Sequence, residues 1–275
     1  MNRILATAGT EVRIALRNRW VSMAVVMMAL FALVLSAAGS APSGALGADR
    51  LSVTVASLTS LAVYLVPLIA LLMSFDAVAV AGEVERGTLP LLLTYPVSRP
   101  EILLGKLFAQ LAILALAVTV GYGLATVAAL AVDRDAVRGL PALIRLWWSS
   151  VLLGVTFLGV GYALSALARR PSAAAGLAIG LWLGMIVLYD LGLLAAIVAD
   201  DGGSFTTDLL PVALLANPAD AFRLYNLAAS EATRAAAGVS GAAQSIPIWQ
   251  SLTSILLWPA LALGLAIAAF RKVTP

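Results

Sequence analysis

Apolar positions fall in six long runs, at about 20–38, 53–80, 102–132, 146–168, 173–199 and 251–270, and the charges, prolines and glycines gather between them. A helix needs roughly 20 apolar residues to cross a hydrocarbon layer about 30 Å thick, so each run predicts one transmembrane helix. The expected fold is therefore all-α and polytopic, with six spans. The second, third and fifth runs exceed the required length, which implies tilt or extension beyond the bilayer. The first run follows an arginine-rich start and precedes "SAAGSA", as a cleaved signal would. Its apolar core is longer than the roughly 7–15 residues of a signal peptide and further spans follow, so it reads as a span.

Basic residues orient the spans. With the N-terminus inside, the inner segments hold Arg3, Arg13, Arg17, Arg19, Arg86, Arg99, Lys106, Arg169, Arg170, Arg271 and Lys272, eleven of seventeen. The outer segments hold Arg50, Arg134, Arg138, Arg145, Arg223 and Arg234. Both termini are thus expected to be cytoplasmic, with a long outer loop over 200–250. Over residues 1–19, Ile4, Ala8, Val12 and Ala15 form a helical stripe, with Arg3, Thr7, Glu11 and Arg13 around it. This predicts an interfacial helix on lipid phosphates. Ile14 and Leu16 broaden the stripe, and a merely basic tail is the alternative.

Composition narrows the chemistry. The chain is 62% hydrophobic and 11% charged, with net charge +3, and its mean hydropathy of +1.01 is far from that of soluble domains. Membrane lipid is its solvent, and nothing suggests a nucleic-acid partner. It has no cysteine and no histidine, which removes disulfides, thiolate metal sites and the commonest general base. Its two lysines, Lys106 and Lys272, precede Leu and Val, so no phosphate-cradling G-x-x-x-x-G-K-[ST] loop exists. An intramembrane serine protease would lack its base, and Asp76 and Asp190 are expected near opposite membrane faces. No catalytic residue, no metal site and no cofactor in this chain are expected.

The most polar organised stretch, residues 83–106, joins the second and third spans on the inner side. Glu83, Glu85 and Arg86 close the second span with mixed charge, and Gly87 permits a sharp turn. Thr88 leads into an apolar patch containing Leu89, Leu91 and Leu92. Pro96 and Pro100 limit helix around Arg99, and Glu101 opens the third span. A short amphipathic element tied to two spans suits the docking of a cytoplasmic partner; an ordinary turn-containing loop is the alternative.

"ERGTLPLLLTYPVSRPEILLGK", residues 85–106, resembles the cytoplasmic segment of ABC-2 type permeases, and "MSFDAVAVAGEVERGTL" (73–89), "LLANPADAFRLYNL" (214–227) and the six-span layout extend the resemblance over most of the chain. It implies a single ABC-2 transmembrane domain over 1–275 in a bacterial inner membrane. It also implies a permease homodimer packed through the first and fifth spans, and two cytoplasmic ATPase subunits that carry ATP and Mg. Glu83, Glu85, Arg86, Gly87, Thr88, Leu89, Leu91, Leu92 and Arg99 become the ATPase-coupling residues. The fuller pattern resembles the branch serving copper-site maturation of nitrous oxide reductase. That implies export of a small sulfur-containing species, or force transmission to a periplasmic β-helical partner. An exporter of lipid or drug-like cargo and a scaffold that moves no solute are the alternatives.

Three further features carry expectations. Gly176, Gly180 and Gly184 recur four apart, a spacing that lets helices approach closely in lipid; with the resemblance they mark the dimer interface, and internal packing is the alternative. Asp76, Met73 and Met185 are candidate pore or gate residues, since intramembrane charge is costly, whereas Asp190 is expected to snorkel outward. Met23, Met27 and Met28 invite a Cu(I) path, but tight sites add Cys or His, and methionine also fills cores. In "NPADAFRLYNL", Asn217 is expected to cap a helix with Pro218 at its first position. Phe222 and Tyr225 are expected on its exposed face, with Asn217, Phe222, Arg223 and Tyr225 touching an outer partner.

Overall fold

The computed structural model describes residues 8, 9, 12, 13, 19–38, 50–75, 87, 98–168, 170–227 and 246–273, and among these every regular element is helical. In chain order they are α1 (Arg19–Ala38), α2 (Arg50–Phe75), α3 (Arg99–Val132), a 3-10 turn (Arg134–Gly139) and α4 (Leu140–Leu167). Next, α5 (Pro171–Trp182) runs through a π turn (Leu183–Leu188) into α6 (Tyr189–Asp200), making one fifth span. A second π turn (Phe205–Leu209), α7 (Leu210–Ala216), α8 (Pro218–Leu227) and α9 (Ile248–Arg271) complete the order.

The all-α polytopic expectation holds. Among the described residues five helical stretches are long and apolar enough to cross a membrane: Val53–Ser74, Pro100–Val132, Arg134–Leu167, Pro171–Asp200 and Ile248–Arg271. In α1 the apolar stretch Ser22–Ser36 is shorter. Of the expected interfacial helix only residues 8, 9, 12 and 13 are described, and they are helical.

Helix starts follow their capping chemistry. α3 begins after Ser98, whose N–H donates to Glu101 Oε2 at 2.8 Å and whose hydroxyl donates to the same oxygen at 2.7 Å. Pro100 sits in this first turn, where its missing N–H costs no helical bond. α4 begins six residues before the expected fourth span, because Arg145 lies inside the helix instead of ahead of it. Its guanidinium lies 5.9 Å over the Tyr225 ring, a geometry in which the ring face offsets the lost hydration.

α4 is the central helix and packs on α9, α2 and α3. Its Leu153, Phe157, Leu158 and Tyr162 are buried. Small residues bring the neighbours in: a Cβ on Gly159 would stand 2.9 Å from the backbone of Ala262 in α9, the close approach expected where dispersion drives helix association. Tyr122 of α3 and Ser150 of α4 share a hydrogen bond of 2.8 Å, which satisfies both hydroxyls in the core.

The largest departure from expectation lies in the outer loop. After α6 the chain reverses at Asp201 (φ 46°) and Gly202 (φ 84°), left-handed positions that favour glycine at the second. The carboxylate of Asp200 accepts the Thr206 N–H at 2.7 Å, and residues 205–227 then fold back along the bundle as a helical hairpin. Tyr189 donates to the Ala213 carbonyl at 2.7 Å, Ser254 to the Leu215 carbonyl at 2.7 Å, and Asn217 Nδ2 to the Met185 carbonyl at 2.7 Å. The hairpin tip at Asn217 is thus level with Met185, fifteen residues before Asp200, or about 22 Å along the helix axis. α8 climbs back from there, packed on α9, α2 and α4.

Candidate functional site

The hairpin tip is built around Asn217. Its Oδ1 accepts the Ala219 N–H at 3.0 Å and its own carbonyl accepts the Ala221 N–H at 2.9 Å, so Asn217 caps α8 and Pro218 follows at the first helical position, as the sequence predicted. Its Nδ2 holds the Met185 carbonyl, and that carbonyl lies in a stretch of π-helical geometry. There the Tyr189 N–H bonds back five residues to Gly184. Such turns insert an extra residue and re-aim the side chains that follow. Asp190 is the second residue after this turn, and it points at α8.

Arg223 bridges two carboxylates. Its Nη2 donates to Asp190 Oδ2 at 3.0 Å and its Nη1 to Asp220 Oδ1 at 3.1 Å. The Asp190 and Arg223 side chains are each 29% exposed, whereas that of Asp220 is 2% exposed. Burial first, and the Asp190 carboxylate second, push Asp220 up from the usual carboxylate range to about 7, against the pull of Arg223. Tyr64 of α2 lies near the guanidinium, and the Tyr64 carbonyl accepts Trp182 Nε1 at 3.1 Å. Beside the triad, Asn226 Nδ2 donates to Ser149 Oγ at 2.9 Å and Trp148 meets the Tyr225 ring edge-on at 5.4 Å.

This arrangement corrects two expectations. Phe222 and Tyr225 do not share an exposed face: Phe222 is fully buried and Tyr225 nearly so, because α8 packs into the bundle. Asn217 is buried too. Asp190 does not snorkel away; it pairs with Arg223, because the hairpin carries a cation to its level. An intramembrane carboxylate needs such a partner, and an Asp-x-x-Arg spacing places its two ends on one helix face. Those were the available signals. Nothing local said that residue 223 would fold back to residue 190.

The fifth span stands apart from the rest. Only 6% of its apolar stretch is buried by the chain, against 67% for α2. Gly176 and Gly180 are exposed, and a Cβ on Gly176, Gly180 or Gly184 would meet nothing within 4 Å. On α1, Val26, Leu30, Phe31 and Val34 are exposed as well. The methionines diverge: Met28 is fully buried and Met23 is 46% exposed. The Met73 carbonyl holds Gln110 Nε2 at 2.9 Å while the Met185 carbonyl holds Asn217. Lys106, expected near the inner end of the third span, is 2% exposed within α3.

Of the expected coupling residues, Gly87 has φ +63°, the left-handed turn that glycine favours, and Arg99 opens α3. Glu83, Glu85, Arg86, Thr88, Leu89, Leu91, Leu92 and the gate candidate Asp76 lie outside the described residues.

Comparison with known proteins covers nearly the whole chain. A profile for the family described as ABC-2 family transporter protein matches residues 5–273. The chain is 44% identical over 269 residues to the probable ABC transporter permease protein NosY of Pseudomonas aeruginosa, covering 96% of each chain. It is 42% identical over 276 residues to the probable ABC transporter permease protein NosY of Stutzerimonas stutzeri, covering 99% of each.

Proposed function

This chain belongs to the ABC-2 family of transporter proteins, and on that premise we propose that it is the permease of an exporter driven by a separate ATPase. Two copies form the membrane unit, and two cytoplasmic ATPase subunits, which bind ATP and Mg, dock on the segment around residues 83–99. Both chain termini face the cytoplasm. The cargo is a small sulfur-containing species delivered outward for copper-site maturation of nitrous oxide reductase, with a periplasmic β-helical protein as the receiving partner. The near full-length identity to two NosY permeases carries this reading. Deleting the gene from its host and purifying the reductase is the test. The reductase is expected to lack copper at the affected site and to regain it when the gene is restored. A fully copper-loaded reductase from the deletion strain would overturn the reading and leave lipid or drug-like cargo to be assayed.

The unburied fifth span supports the dimer. A transmembrane helix this exposed within one chain meets either lipid or a second copy, and its exposed glycines allow close backbone approach. Gly180→Leu should fill that space. Cross-linking of the purified permease is expected to show several-fold less dimer while each chain still inserts; unchanged cross-linking would place the interface elsewhere.

A further inference from the structure

Asp220 carries more acceptor capacity than its surroundings use. It is 1% exposed, its Oδ1 takes Arg223 Nη1, and its Oδ2 has no hydrogen-bond partner. Arg223 holds the Asp190 and Asp220 carboxylates on its two terminal nitrogens, at 3.0 and 3.1 Å, so the two acids stand side by side. Arg223 neutralises one of these two charges. A second buried carboxylate without a cation is costly, and neighbouring carboxylates resist ionising together.

Among the described residues, the other groups around the pair do not supply that second charge. α6 contributes Tyr189 next to Asp190, and α2 contributes Tyr64 near Arg223. α4 presents Arg145, whose guanidinium is over Tyr225. α7 carries no charged residue, Asp208 in the preceding turn is exposed, and α9 carries none before Arg271.

We propose that Asp190 and Asp220 share a single proton beside Arg223, and that this shared proton clamps the inward-folded hairpin to the fifth span. The clamp matters because the fifth span buries so little of itself. Among the described residues, its polar ties to the hairpin are Asp200 to Thr206 at the turn, and then Tyr189 to Ala213, Met185 to Asn217 and Asp190 to Arg223. Loss of the proton puts a second negative charge into the last of these seams and pushes α6 and α8 apart. The clamp stands independently of the cargo, since it concerns how the two elements hold together.

The direction of the pH dependence follows from linkage. A carboxyl whose folded-state pKa lies above its unfolded value of about 4 stabilises the fold at low pH. That contribution is lost as pH rises above the unfolded value and through the raised value of Asp220.

The test uses the full chain in lipid nanodiscs, with the proton as ligand. Infrared difference spectra between about pH 5 and about pH 8 should show a carboxylic-acid carbonyl band that disappears on raising the pH through neutrality. Asp220→Asn keeps an N–H donor toward Asp190 and should abolish the band. Asp190→Asn removes the repelling charge and should lower the midpoint by about one unit or more. Amide exchange over residues 205–227, corrected for intrinsic rates, should rise several-fold across the same range in the unaltered chain and stay level in Asp220→Asn. A chain with no titrating carboxyl band, a band that survives Asp220→Asn, or pH-independent exchange of the hairpin would each overturn the proposal. If Asp220→Asn does not fold, an unmoved midpoint in Asp190→Asn overturns it.

Discussion

Arg223→Ala should lower the stability of the folded chain by about 3 kcal/mol, the low end of the range for breaking a buried ion pair, because both Arg223 and Asp190 keep 29% of their side chains exposed. The loss does not measure the attraction in the pair. It measures what remains: Asp190 and the buried Asp220 side by side with no cation. The double variant Arg223→Gln with Asp190→Asn should therefore be closer to the unaltered chain than Arg223→Ala is, since both partners are then neutral and can still hydrogen-bond. The loss in Arg223→Ala should also shrink below about pH 4, where carboxylates are protonated in folded and unfolded chains alike. Unfolding in mild detergent, followed by thermal or denaturant titration, reads all three. Equal losses in the single and double variants, or a pH-independent loss, would show that the triad is not a coupled unit.

The other large effect concerns the segment of residues 83–99, where we expect the ATPase to dock. Contact energy at interfaces concentrates in a few buried residues, and the apolar positions Leu89 and Leu91 are the candidates. Leu89→Asp or Leu91→Asp should cost several kcal/mol of binding by burying an unpaired charge. Arg86→Ala, a rim charge in that reading, should cost about 1 kcal/mol or less. The permease should still insert, since its apolar spans are untouched, but should no longer retain ATPase subunits through purification. Complexes that purify intact with normal ATP hydrolysis in both leucine variants would reduce the segment to a connecting loop.

The two effects rest on different kinds of information. The expected docking at residues 83–99 was read from a contiguous stretch whose charges, turn glycine and leucines follow one another. The triad joins residues 33 positions apart, and only the fold-back of the hairpin brings Arg223 to Asp190.

The same division runs through the molecule. The sequence by itself determined the membrane class, the helical content and the approximate bounds of five spans, because an apolar run in lipid must satisfy its own backbone and a helix does so locally. It determined the Asn217 cap and the Gly87 turn for the same reason: each is a bond or a dihedral within a few residues. It also showed a chain without cysteine or histidine. Tertiary structure decided the rest. Residues 205–227 of the segment read as an outer loop enter the bundle, where the Met185, Ala213 and Leu215 carbonyls accept from Asn217, Tyr189 and Ser254. Phe222 turned inward because α8 sits among α2, α4 and α9. Arg145 entered α4 because a ring from α8 lies beneath it. In each case a polar or aromatic group met a partner distant in the chain. Hydrophobic periodicity records which residues leave water; it carries no record of which polar groups will meet once they have left.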